Sequence, residues 1–107
     1  MCIRDSNDST KLGLTWAGTI SIEKAYDWSP QEALSTEFGD QIIGIESPLW
    51  SETVTTMQDI EYMAFPRIIG HAELGWNGSK RENANSYFKD LEEALKRLHK
   101  KGVNYKK

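Results

Sequence analysis

One apolar run constrains the fold of this chain more than any other feature. Residues 42–45 read Ile-Ile-Gly-Ile, a bunched set of β-branched residues around one glycine. Such a run is typical of a strand that is covered on both faces in a parallel sheet, whereas a half-exposed strand alternates apolar and polar residues. Pro48 has no amide hydrogen to donate, so regular pairing should stop near Ser47. The sequence therefore predicts a buried strand that runs, at its carboxyl end, into irregular chain over residues 49–52.

Three short motifs follow in a fixed order after the predicted strand. They are Leu49-Trp50-Ser51-Glu52, then Phe65-Pro66-Arg67, and then Ala72-Glu73 with Trp76. In order and spacing they resemble the last barrel strand and the following helix of the β-N-acetylhexosaminidases of glycoside hydrolase family 20. The resemblance implies an α/β fold. It would be the C-terminal part of a TIM (β/α)₈ barrel, made of the last strand and the helices that follow, and incomplete as it stands.

The resemblance also implies which residues bind substrate. In the family, the Trp and the Glu of the Leu-Trp-x-Glu motif line the pocket for the terminal N-acetylhexosamine, and this assigns Trp50 and Glu52 as substrate-binding residues. Their chemistry suits the role, because an indole covers the apolar C–H face of a pyranose and a carboxylate accepts strong hydrogen bonds from hydroxyl groups. Without the resemblance, a core Trp and a solvated Glu would be the simpler interpretation.

Trp16 is a second candidate for the same pocket. It stands in a Trp-x-Gly element, and the resemblance places a similar element in the long loop after the seventh strand, where aromatic residues border the pocket. A Trp that pins this loop onto the barrel explains the residue equally well. Trp16 is therefore a substrate-binding candidate that ranks after Trp50 and Glu52.

The chain is too short for the whole barrel. A (β/α)₈ barrel needs roughly 250 residues, whereas this chain has 107. We therefore interpret residues 9–107 as the C-terminal portion of a family 20 catalytic barrel. Residues 1–8 are polar and patternless, and we interpret them as a non-native or frayed start.

The acid machinery of the family is missing from this sequence. Family 20 enzymes use the acetamido oxygen of the substrate as the nucleophile, which is an exception among retaining glycosidases. In that family, the Asp of an adjacent Asp-Glu pair orients the acetamido group and the Glu protonates the leaving oxygen. The 107 residues contain no Asp-Glu dipeptide. We therefore expect part of an exo-acting β-N-acetylhexosaminidase that removes terminal N-acetylglucosamine or N-acetylgalactosamine by substrate-assisted retaining hydrolysis. No catalytic residue is expected in this chain, and the fragment alone should be inactive.

Composition argues against several other classes of function. A single cysteine, Cys2, rules out an intrachain disulfide and a multi-cysteine metal site, and His71 and His99 fall on different predicted helices, so no metal or cofactor is implied. A net charge of -3 gives no basic footprint for nucleic acid. No apolar run is long enough to span a membrane. The resemblance implies β-linked N-acetylhexosamine glycans or chito-oligosaccharides as substrates, and the compartment is left open.

Hydrophobic periodicity predicts three helical stretches. They are a short helix capped by Ser21, a helix that begins at Met57 behind a Thr cap, and a long amphipathic helix over residues 83–101. Pro66 lacks an amide hydrogen and collides with the preceding turn, so it must interrupt the second stretch. We therefore expect that stretch to consist of two pieces, one ending near Ala64 and one beginning at Pro66 or Arg67.

Two other classes of protein are open alternatives. A non-catalytic carbohydrate-binding module would explain an exposed Trp and Glu without an acid pair, but such modules are usually β-sandwiches and the second half of this chain reads as helical. A helical interaction domain would use the apolar stripe of the last helix to dock a partner. That stripe comprises Tyr87, Phe88, Leu91, Leu95 and Leu98, and it equally suits a face that the barrel covers.

Overall fold

The computed structural model describes residue 12 and residues 20–34, 36–80 and 83–106. Trp16 and the proposed start at residues 1–8 lie outside these ranges. Within them the chain is mainly helical. The helices are α1 (Ile22–Asp27), α2 (Pro30–Leu34), α3 (Met57–Ala64), α4 (Arg67–Asn77) and α5 (Ala84–Lys100), with 3-10 turns at Thr36–Gln41 and Gly78–Lys80.

Polar side chains cap the amino ends of the three predicted helical stretches. Ser21 accepts a hydrogen bond from the amide of Lys24 at 3.1 Å, and Asn83 accepts one from the amide of Ser86 at 3.0 Å. At the start of α3, Thr56 and Asp59 form a reciprocal capping box. These bonds satisfy amide groups that have no partner inside a helix. The helix starts read from the sequence are thereby confirmed.

The predicted break at Pro66 is also confirmed. α3 ends at Ala64, Phe65 is extended, and α4 begins at Arg67. The Phe65–Pro66 peptide bond is cis. The amide of Ile69 donates to the carbonyl of Pro66 at 3.0 Å, so Pro66 serves as the N-cap of α4. The Phe-Pro-Arg motif thus marks the junction between two helices.

The core forms where α1 packs against α4 and α5. The rings of Tyr26 and Tyr87 stack with centroids 3.8 Å apart and planes within 7°, and Leu91 lies beside them. Burial is the main cause that raises the pKa of Tyr87 to about 12, and Tyr26 and Glu73 raise it further. α4 presents Gly70 to this core. A Cβ atom there would lie 3.3 Å from the Tyr26 backbone, so the missing side chain lets α1 approach α4 closely.

α4 has some residues that are buried within this chain and others that are exposed to solvent. The buried residues are Arg67, Gly70, His71 and Leu74. Four apolar residues lie between and after these positions, namely Ile68, Ile69, Ala72 and Trp76. Ile68 and Ile69 are half-buried, and Ala72 and Trp76 are exposed. Ile69 packs against the core of Tyr26, Tyr87 and Leu91, whereas Ala72 and Trp76 are left exposed.

The strand predicted over residues 42–45 is wrong for this chain. Residues 42–48 have no regular structure, and among the described residues only Leu49 takes part in a β-bridge. Ile43 is fully exposed. A strand needs a neighbouring strand to receive its backbone hydrogen bonds, and no described segment lies alongside as one. The apolar pattern is present, but no strand that could pair with it is found among the described residues.

Candidate functional site

The candidate site is a short loop between the irregular apolar segment and α3. Pro48 and Leu49 lead into Trp50, whose side chain is 46% exposed. The amide of Val54 donates to the carbonyl of Ser51 at 3.1 Å and closes a turn. Glu52 lies at the corner of that turn and is exposed. The loop therefore presents an indole and a carboxylate, two residues apart, to solvent.

The cap of α3 fixes the far end of this loop. Both Thr55 and Thr56 donate backbone amides to Asp59 Oδ2 at 3.0 Å, and the Thr55 hydroxyl donates to the same oxygen at 3.1 Å. The Thr55 amide is the largest cause that lowers the pKa of Asp59 below its usual value. Asp59 is therefore committed to the backbone, and Glu52 is the loop carboxylate that remains available to a ligand.

α4 holds the near end of the loop. The Ser47 hydroxyl hydrogen-bonds to Nδ1 of His71. One helical turn further along α4, a Cβ atom on Gly75 would lie 3.4 Å from Cγ1 of Ile45, so this side chain rests on the bare helix backbone. Ile45 and Ser47 thus seat the segment on α4 immediately before Pro48.

His71 is buried, with only 3% of its surface exposed. Burial lowers the pKa of the imidazole below its ordinary value of 6.5, and the positive charge of Arg67 adds to the effect. Among the described atoms, Nε2 has no hydrogen-bond partner. The indole of Trp28 is tilted against the ring at a centroid distance of 6.3 Å. The imidazole is therefore held neutral, and its described hydrogen bond is the one to Ser47.

The described hydrogen bonds of Arg67 and Glu73 are made within the helical part of the fold or next to it. The guanidinium of Arg67 is buried and donates to the carbonyl of Ile20 at 3.4 Å and to that of Met63. Glu73 accepts a hydrogen bond from the Asn77 side chain, one turn further along α4. Arg67 thus ties α4 to the end of α3 and to the residue before the α1 cap. Neither residue is brought to the Trp50 loop by these contacts.

Trp50 and Glu52 lie two residues apart on one exposed loop, while Trp16 lies outside the described residues. Sequence reasoning assigned no role to Ser47 and did not predict its hydrogen bond to His71. A signal existed in the spacing, because Arg67, His71 and Leu74 recur at intervals of four and three residues and so share a helix face. A histidine on a buried face needs a polar partner.

An apolar groove lies beside the loop but does not include it. The groove has a volume of about 290 Å³, and its lining includes Trp28, Leu34, Ile42, Gly44 and Ile45. Neither Trp50 nor Glu52 lines it.

The described residues hold no cluster of three or more histidine, cysteine, aspartate or glutamate side chains that could bind a metal ion. Nor do they form a helix with the length and hydropathy that a membrane crossing requires.

Known proteins resemble this chain both in sequence and in fold. The β-N-acetylhexosaminidase of Cellulomonas fimi is 38% identical over 68 residues, which make up 64% of this chain and 14% of that protein. The β-N-acetylhexosaminidase of Streptomyces coelicolor A3(2) superposes with a TM-score of 0.85 at 33% identity, covering 96% of this chain and 21% of that one. The exo-β-N-acetylglucosaminidase of Vibrio harveyi, solved with N-acetylglucosamine, gives 0.83 at 29% identity, covering 99% and 17%.

Two facts follow from these comparisons. This chain spans about a fifth or less of the length of the relatives that it matches. The sequence model of the glycosyl hydrolase family 20 catalytic domain matches residues 2–79, which is well over half of the chain. The resemblance seen in the three motifs is confirmed, and the chain belongs to glycosyl hydrolase family 20.

Proposed function

We propose that this chain is part of an exo-acting β-N-acetylhexosaminidase and supplies part of its sugar pocket. The complete enzyme removes terminal N-acetylglucosamine or N-acetylgalactosamine from β-linked glycans or chito-oligosaccharides by substrate-assisted retaining hydrolysis. The observation that carries this proposal is the loop of residues 49–52, in which Trp50 and Glu52 lie two residues apart and are both exposed, in a chain of family 20. The match to Vibrio harveyi and Streptomyces enzymes over nearly the whole chain supports it.

In this proposal, residues 9–107 are the C-terminal portion of a TIM barrel, which includes its last strand, at residues 42–45, and the helices that follow. The bunched isoleucines at residues 42–45 support this assignment, because they suit a strand with neighbours on both edges. Pairing with such neighbours would convert the irregular segment into a strand whose carboxyl end carries Trp50 and Glu52. Active sites of TIM barrels lie at that end.

The two loop residues have separate roles in holding the sugar. Trp50 offers its exposed ring face to the C–H face of the terminal pyranose. Glu52 accepts hydrogen bonds from sugar hydroxyls, which are stronger for an ionised acceptor. Proton transfer to the leaving oxygen belongs to the Asp-Glu pair of the family, and these 107 residues contain no such dipeptide. The chain therefore contributes substrate binding and leaves the chemical step to residues elsewhere in the enzyme.

The two alternatives have less support. A carbohydrate-binding module of the usual β-sandwich type does not fit a chain whose described residues are mainly helical. A docking domain that uses the α5 stripe needs that stripe to be accessible. Tyr87 and Leu91, at its centre, are each only 5% exposed because they pack against α1. The stripe is thus used inside the chain.

The test is kinetic and uses the full-length enzyme that carries this segment. Trp50→Ala removes stacking area and Glu52→Gln removes a charged acceptor, each worth roughly 1.5 to 3 kcal/mol. We expect each variant to lower kcat/KM for an aryl N-acetyl-β-glucosaminide by about tenfold to a hundredfold at unchanged stability.

Two matched variants serve as controls. Trp76→Ala removes another exposed indole, and Glu92→Gln neutralises an exposed carboxylate on α5. Both should keep the kinetics of the parent enzyme in the folded fraction. Parent kinetics in Trp50→Ala and Glu52→Gln would refute the proposed pocket.

A further inference from the structure

We propose that His71 is a positioning residue for the sugar-binding loop. Through its hydrogen bond to Ser47 it sets where Trp50 and Glu52 lie, without touching the sugar itself. This inference rests on the proposed function of Trp50 and Glu52. It adds to that pocket a residue on a different element, 19 positions after Glu52 in the sequence.

The first argument is that two contacts hold the segment before Pro48 against α4, and that their spacings along the segment and along the helix agree. Ile45 lies on Gly75 and Ser47 bonds to His71, so the segment runs in the direction opposite to α4. An extended chain advances about 6.6 Å over two residues, and a helix advances about 6 Å over four. The spacing of the two contacts on the segment therefore matches their spacing on the helix. A segment held at two matched points is fixed along α4.

The second argument is that little freedom separates the seat from the site. Pro48 follows Ser47 directly, and its ring fixes one backbone dihedral. Leu49 is half-buried and takes part in a β-bridge. Trp50 comes next. A shift of Ser47 is consequently passed to Trp50 with little to absorb it, and catalysis is sensitive to misplacements of about 1 Å.

The third argument is that the hydrogen bond between Ser47 and His71 is arranged to position the loop and not to transfer a proton. In a Ser-His-Asp triad the serine bonds to Nε2 and the acid bonds to Nδ1. Here Ser47 occupies Nδ1. Nε2 is buried and faces no carboxylate partner among the described atoms. With His71 only 3% exposed, water has little access to replace Ser47 as its partner, so loss of the Ser47 hydroxyl leaves the buried Nδ1 of His71 unsatisfied.

The experiment compares four single variants and one double variant, Ser47→Ala combined with His71→Leu, in the full-length enzyme that carries this segment. Ser47→Ala and His71→Leu each remove the hydrogen bond. His71→Asn keeps a polar atom close to the position of Nδ1, and His99→Leu is the matched control, since His99 is exposed on α5. For each variant, kcat and KM are measured with an aryl N-acetyl-β-glucosaminide, and the folded fraction is measured by circular dichroism.

We expect Ser47→Ala and His71→Leu each to lower kcat/KM by about fivefold to tenfold per folded enzyme. The loss should divide between kcat and KM in the same proportion as in Glu52→Gln, because the same pocket is disturbed. The double variant should be no worse than either single one, since both remove one interaction. His71→Asn should stay within about twofold of the parent enzyme, and His99→Leu should match it.

Parent kinetics in folded Ser47→Ala, or additive losses in the double variant, would overturn the inference. If His71→Leu does not fold, Ser47→Ala and His71→Asn test the inference. We then expect a lower kcat/KM for Ser47→Ala than for His71→Asn. Equal values for the two variants would count against the inference. The outcome also separates the two proposals. Impaired Trp50→Ala and Glu52→Gln together with an unimpaired Ser47→Ala refute only the role of His71, whereas parent kinetics in the first two refute the pocket itself.

Discussion

Glu52 and Asp59 carry the same charge on the same loop-helix unit, but their surroundings differ. Asp59 receives three hydrogen bonds from Thr55 and Thr56. Glu52 makes no hydrogen bond with the described part of the chain and stands at the corner of a turn. The Leu-Trp-x-Glu motif identified Glu52 from the sequence. The capping role of Asp59 was not predicted, although Thr56 and Asp59 have capping-box spacing.

The capping box gives a prediction about stability. Thr56→Ala removes the hydroxyl that accepts from the Asp59 amide at 3.1 Å, and loss of an N-cap costs about 1 kcal/mol. Denaturant unfolding of the full-length enzyme should show that loss, whereas Ser51→Ala, at an exposed position outside the cap, should not. A Thr56→Ala variant as stable as the parent enzyme would contradict the assigned cap.

His71 gives a prediction about pH. Its pKa in the folded protein is lowered, first by burial and then by Arg67. Below the ordinary value of 6.5, the unfolded chain therefore binds a proton that the folded chain does not, so stability should fall as the pH drops from about 6.5 toward the folded pKa. Nuclear magnetic resonance of the imidazole carbons should show His71 titrating below 6.5. A midpoint at or above 6.5 would contradict the buried, neutral imidazole.

At the scale of elements, α4 is the helix whose contacts matter most for the position of the Trp50 loop. One side packs on α1 through Gly70, and the same helix seats Ser47 and Ile45 through His71 and Gly75. The helix thus links the Tyr26 core to the loop. Its outward face, which ends in Trp76 at 89% exposure, remains open.

The close approach at Gly70 is testable by adding one methyl group. In Gly70→Ala the new Cβ would meet the Tyr87 hydroxyl at 3.2 Å and the Tyr26 backbone at 3.3 Å. Overpacking costs about 1 to 3 kcal/mol, and the better helix propensity of alanine returns about 1 kcal/mol. We expect a net loss of about 1 kcal/mol in denaturant unfolding. Gly44→Ala is the control, since nothing lies within 4 Å of its Cβ position, and a Gly70→Ala variant as stable as this control would show that α1 and α4 are less closely packed.

Local signals in the sequence were sufficient for the helices and insufficient for their arrangement. The cap at Ser21 and the break at Pro66 act within a few residues, and each is found where the sequence predicts it. The Ser47–His71 contact joins residues 24 positions apart, and no local pattern encodes it. The strand at residues 42–45 fails for the opposite reason, because its apolar pattern is local but its hydrogen bonds depend on other strands.

At the scale of the whole molecule, much apolar surface is left uncovered. Large apolar side chains that remain exposed include Leu34, Ile43, Met57 and Trp76, at 61%, 103%, 64% and 89%. This distribution fits the proposal that the chain packs within a larger barrel.

The 107-residue chain by itself should therefore be inactive and poorly packed. It has no Asp-Glu pair to orient the acetamido group and protonate the leaving oxygen. Purified chain should give no turnover of a chromogenic aryl N-acetyl-β-glucosaminide above a buffer blank. Its four Trp residues should report a broad thermal transition by near-ultraviolet circular dichroism. Turnover above the blank would contradict the assignment of catalysis to residues outside the chain, and a sharp transition from a monomer would favour a stand-alone binding module.

The most direct measurement of the central claim is a crystal structure of the full-length enzyme, bearing this segment, with N-acetylglucosamine bound. We predict the ring of Trp50 against the C–H face of the terminal sugar and the Glu52 carboxylate within about 3 Å of a sugar hydroxyl. His71 should remain bonded to Ser47 and should not contact the sugar. A bound sugar with Trp50 and Glu52 both out of contact would contradict the claim that this chain builds part of the pocket.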